Sequence, residues 1–83
     1  PSDSVVFTAF GCNLHIRDEL VAAAFASLPE QEQGILILHC VLELTDGEIS
    51  KLVGMSRSAV QRHRTKALNE LRKRLEDERR KPK

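Results

Sequence analysis

Two helix starts eleven residues apart, with a turn-forming glycine just ahead of the second, constrain this chain more than any other feature. Thr45-Asp46-Gly47-Glu48 has capping-box spacing: a hydroxyl at the cap, and a carboxylate three residues on that reaches back to the cap amide. Gly54 is the residue type that most easily takes a left-handed helix cap, and Ser56 is a good cap for a following helix. One short helix fits between Thr45 and Gly54, carrying Ile49, Leu52 and Val53 inward. The helix after Ser56 continues through good helix formers to about Arg80.

The offsets within Asp46 to Arg64 meet the steric needs of a helix-turn-helix. Ser50 is small where two helices cross, Gly54 makes the turn, Met55 plugs the corner and Val60 anchors the second helix on the first. With Val60 set at the core and about 100° of rotation per residue, Ala67, Leu71 and Leu75 fall on the inner face. Ser58, Ala59, Gln61, Arg62, Thr65 and Lys66 then face outward, with Arg57 and Arg64 near the boundary. This polar, cationic face suits a DNA major groove about 12 Å wide. Gln61 and Arg62 have the bidentate chemistry to read adenine or guanine edges, while Ser58, Thr65 and Lys66 suit phosphates. Arg57 and Arg64 reach phosphates by extending along the surface. The plainer reading makes these residues an ordinary solvated helix face; the coincidence of basic stretch and corner spacing favours DNA.

Charge is divided along the chain. Residues 1–50 hold one cation, Arg17, against eight anions, a net charge of −7, whereas residues 51–83 hold twelve cations against four anions, a net charge of +8. A basic half attracts phosphate and releases its counterions.

Upstream, residues 5–16 are rich in β-branched and aromatic types, and Gly11 with Asn13 offers a turn, so residues 1–16 read as an extended arm or hairpin that needs helices to pack on. Leu20, Val21, Ala24, Phe25 and Leu28 recur at helical spacing after Asp18, giving a first helix. Pro29 suits the first turn of a second, almost wholly apolar helix that runs to about Leu42 and is therefore buried among the others. The expected fold is all-α: four helices in a helix-turn-helix domain over residues 17–80, with the arm before it and a frayed tail at 81–83.

Other classes fit poorly. His15, His39 and His63 never stand at ligand spacing with Cys12, Cys40 or a carboxylate, and no glycine-rich phosphate loop occurs, so neither an enzyme nor a metal or cofactor site is expected. His39 reads as a satisfied core histidine. Cys12 and Cys40 match no metal or redox spacing and read as free thiols of a reducing compartment. Without Trp or Tyr, a stacking platform for single strands is not expected. No membrane span or secretory leader is read, which makes a soluble cytoplasmic protein the expectation.

Leu28-Pro29-Glu30-Gln31-Glu32, then Ile35-Leu36-Ile37-Leu38, Leu44-Thr45-Asp46-Gly47-Glu48-Ile49 and Gly54-Met55-Ser56-Arg57-Ser58-Ala59-Val60 together resemble region four of bacterial sigma factors. Among these, the short sigma-like proteins of Gram-positive mobile elements are the most similar kind. The resemblance covers about residues 20–75. It implies a transcription module that reads the upstream promoter hexamer in double-stranded DNA through its last helix and docks on the beta flap of RNA polymerase through apolar residues of the earlier helices. His63 stands where the family commonly has Arg, and Ser50 where it has Ala; the former weakens an expected phosphate contact. Eighty-three residues leave no room for the promoter-melting region, so a separate subunit is expected to supply it. Val60-Gln61-Arg62-His63-Arg64 also matches LuxR-type regulators, but their last helix usually ends sooner. A protein-interaction module with a merely solvated basic face is the reading of a different class.

Overall fold

The computed structural model describes residues 4–80, with side chains described through residue 78. Chain order is β1 (Val5–Ala9), β2 (Cys12–Ile16), α1 (Glu19–Ala26), α2 (Glu30–Val41), α3 (Asp46–Val53) and α4 (Arg57–Arg80). The four expected helices are present, and the arm is an antiparallel hairpin with Val5 opposite Ile16 and Ala9 opposite Cys12. That closing pair puts the turn at Phe10-Gly11, both at positive φ, 52° and 75°. Asn13, expected in the turn, lies within β2, where its Oδ1 accepts from the Thr8 hydroxyl at 2.9 Å. Positive φ at a bulky residue such as Phe10 costs about 1–2 kcal/mol.

Each helix starts for a local reason. Asp18 caps α1 by accepting from the amides of Leu20 and Val21. Pro29 is the cap residue of α2 rather than its first helical residue, with an extended ψ of 147°. The Gln33 side chain donates back to the carbonyls of Leu28 (2.9 Å) and Ala26 (3.3 Å), satisfying the end of α1, which has no glycine stop. At α3 the capping box is complete: Glu48 N–H donates to Thr45 Oγ1, and the Thr45 amide donates to Glu48 Oε1.

The core sits on both sides of α2. Leu36 and Ile37 pack with Phe25, Leu28 and Ala67, and the hairpin lays Phe7, Ala9, Leu14 and Ile16 against this group. Phe7 meets Phe25 edge to face at 4.5 Å between ring centres. The hairpin is thus packed onto the helices and shares their core, which answers how a two-strand unit stays ordered. On the other side of α2, Ile35 and Leu38 pack with Ile49 and Val60, joined by Leu44, Val53 and Met55. An apolar α2 is explained by this position: Ile35, Leu36, Ile37 and Leu38 are all buried because partners lie around most of its circumference.

Leu52 departs from expectation. It is 53% exposed, although its neighbours Ile49 and Val53 point inward. A helix of eight residues rests on the core by one narrow face centred between Ile49 and Val53, and Leu52 falls beyond its edge.

Candidate nucleic-acid interface

Gly54 adopts φ 72°, ψ 30°, the left-handed cap that ends α3 and redirects the chain. The amides of Gly54 and Met55 both donate to the Ser50 carbonyl, at 3.0 and 3.2 Å, and Ser50 Oγ donates to the Gly47 carbonyl at 2.6 Å. Ser56 Oγ then accepts from the Ala59 amide at 3.1 Å, capping α4. This corner is held by backbone geometry, and it presents α4 at a set angle to α3.

The phase of α4 agrees with the sequence reading. Val60 and Ala67 are fully buried, while Leu71 and Leu75 are half-buried. Opposite them, Arg57, Ser58, Gln61, Arg62, Thr65 and Lys66 are exposed, and Ala59 is half-buried at the margin. Gln61, Arg62, Thr65 and Lys66 line one continuous open surface together with Asn69 and Glu70. Those last two were missed by sequence reasoning. The available signal was the four-residue ladder Gln61–Thr65–Asn69 and Arg62–Lys66–Glu70; Asn69 prolongs the polar face, and Glu70 sets one carboxylate on it.

Two nitrogen-bearing side chains of α4, Arg64 and His63, are engaged within the fold. Arg64 forks onto Asp46, Nε to Oδ1 and Nη2 to Oδ2, each at 2.9 Å, with both side chains about one-fifth to one-quarter exposed. Arg64 retains further N–H donors, since a guanidinium has five. The hydrogen bond from Arg64 holds the Asp46 carboxyl below the ordinary range, and the same bond raises the arginine. His63 turns inward rather than to a phosphate: its Nδ1 is 3.2 Å from Oε2 of Glu32, the one buried acidic residue among those described.

Beside the corner, a cleft is lined by His39, Leu44, Thr45, Gly47, Arg57 and the Asp46–Arg64 pair. The stem of Arg57 passes 4.0 Å from the position a Cβ would take on Gly47, which sets this cation against the start of α3. His39 differs from the expected satisfied core histidine, because its Nδ1 is buried without a partner. Burial pushes the Cys40 thiol up, and both cysteines are free. Among the described residues no three metal-ligating side chains converge, and no helix is long and apolar enough to cross a membrane.

Neither the curated proteins nor the solved structures contain a match to the chain. The family profile described as "Sigma-70, region 4" matches residues 18–71, from the cap of α1 to Leu71 of α4. A chain with this corner, this outward polar face on α4 and this match over most of its length belongs to the sigma-70 region 4 family.

Proposed function

We propose that this DNA-binding, transcription-related module recognises a promoter upstream element by laying α4 in the major groove. Gln61 and Arg62 read base edges, and Arg57, Ser58, Thr65 and Lys66 hold phosphates, with Ala59 permitting close approach and Arg64 contributing its spare donors. The reading rests on one observation: an exposed cationic face on a helix whose opposite side is locked by Val60 and Ala67 at 0% exposure. It acts by binding, not catalysis. Docking to the beta flap of core RNA polymerase uses apolar residues that the fold leaves open, Leu20 on α1 and Val41 and Leu42 at the end of α2. The proposed setting is the cytoplasm.

Two measurements test this. Duplex affinity, titrated against salt, is expected to fall linearly with log salt at a slope matching several neutralised phosphates. Core polymerase is expected to co-purify with the chain and to be displaced by isolated beta flap. Retention of polymerase with no duplex binding even at low salt would replace this reading by a protein-interaction module.

A further inference from the structure

Phe10 occupies left-handed backbone at the first position of the hairpin turn, φ 52°, where Asn or Gly would sit with less strain. Its ring lies against α2 at Gly34, where an added Cβ would come within 3.3 Å of the ring edge. Yet 56% of Phe10 stays exposed. Packing within this chain therefore does not account for a bulky ring at a strained position, and such outliers point to function.

Phe10 borders a groove of about 530 Å³ that runs between the hairpin tip, the first half of α2 and the end of α3. Ala9, Gly34, Ile37 and Val53 also line it, as does Leu52, itself 53% exposed. Glu30, Gln31 and Gln33 add polar groups, and Glu30 has no cationic partner among the described residues. The groove thus combines apolar anchors with an anion, and its lining other than Leu52 and Val53 belongs to the half of the chain that carries −7.

We infer that this groove docks a cationic amphipathic helix of a partner protein. Phe10 and Leu52 close on the helix's apolar face, and Glu30 meets a lysine or arginine on its flank. Helix-in-groove recognition takes apolar anchors at i, i+3, i+4 and i+7, and complementary charge steers the encounter and sets orientation. No α4 residue lines the groove, so a partner can sit there while α4 is on DNA. The inference does not rest on the DNA reading.

The test uses the intact chain and a synthetic peptide of about five helical turns, with leucines on one face and lysines on the other, followed by calorimetry. Two control peptides keep the length: one scrambles the same composition, and one replaces lysine by glutamate. The parent is expected to bind the Lys-flanked helix and both controls at least about thirtyfold more weakly. Phe10→Asn should melt no lower than the parent, because Asn tolerates this backbone, and yet lose about thirtyfold in affinity. Leu52→Ser, a change at an exposed position, should weaken binding without unfolding the chain, and Glu30→Gln should flatten its salt dependence. Equal binding of the scrambled peptide, no binding of any peptide, or undiminished binding by Phe10→Asn and Leu52→Ser would each overturn the proposal. A melting loss in Phe10→Asn with unchanged affinity would assign the ring to pinning the hairpin.

Discussion

Arg64 and Asp46, eighteen residues apart, form a two-pronged ion pair across the helix-turn-helix corner, with both N–O distances at 2.9 Å. A bidentate guanidinium–carboxylate pair specifies direction as well as distance. It ties the second turn of α4 to the first residue of α3 and so braces the angle at which α4 is offered to a partner. It also places an anion beside the cationic face.

Asp46→Asn is expected to cost about 1 kcal/mol in stability by urea denaturation, the size of a well-oriented pair near the surface. The same change removes a negative charge and frees Arg64. Duplex affinity at low salt should therefore rise, and the salt slope should steepen by about one unit. An unaltered denaturation midpoint would show that the pair does not brace the corner.

Acid sensitivity follows from two carboxylates held below their ordinary range. Asp46 is lowered mainly by the hydrogen bond from Arg64, and Glu48 mainly by the Thr45 amide, with the Thr45 hydroxyl adding to it. Because both are lower folded than unfolded, their stabilisation is fully present above the ordinary carboxylate values and is lost as pH falls through the folded ones. The melting temperature should decline below about pH 4.5, and the variant carrying Asp46→Asn with Glu48→Gln should show a shallower acid limb. Superimposable limbs would remove these groups from the account.

Gly54→Ala isolates backbone strain. A Cβ there would meet nothing within 4 Å, so no clash contributes, but φ is 72°. Loss of about 1–2 kcal/mol is expected from the left-handed conformation alone, read as a lower melting temperature, with Gly54→Asn losing less. A neutral alanine would mean the corner relaxes into another turn.

Removal of the His63 ring should leave Glu32, at 3% exposure, with its carboxylate short of a partner. His63→Ala is expected to destabilise by about 1–3 kcal/mol, and His63→Ala with Glu32→Gln to recover part of this. Additive losses in the double-mutant cycle would show that the two side chains do not couple.

On α4, Gln61→Ala and Arg62→Ala should each cost about 1–3 kcal/mol at the preferred duplex and change the ranking of sites. Lys66→Ala should weaken all duplexes alike and reduce the salt slope by about one. Binding arrays over randomised duplexes distinguish these outcomes. Equal effects of all three on every sequence would leave α4 as a phosphate-binding helix without base readout.

Much of the candidate site was legible because its determinants are local. Asp18, Thr45 and Ser56 cap the helices that follow them, Gly54 turns the corner, and the period through Val60 and Ala67 assigns the two faces of α4. Local readings shifted by a residue or two, at Pro29 and Asn13, whereas the larger shifts concern partners distant in sequence. His63 read as a weakened phosphate contact until Glu32 of α2 was placed beside it, and Arg64 read as reaching phosphate from the boundary until Asp46 met it across the corner. Leu52 has the residue type and near-spacing of a core position, but none of the described elements covers that side of α3.

By itself the amino-acid order determined where helices begin and end and which side of α4 is apolar, since capping, glycine conformation and periodicity act within a few residues. Tertiary structure alone decided how α2 divides its apolar residues between hairpin and corner, that His63 and Arg64 are drawn inward, and that Phe10 and Leu52 both line one open groove. Those outcomes depend on the relative placement of elements, and side-chain burial and ion pairing are properties of the neighbours a residue meets rather than of its own position in the chain.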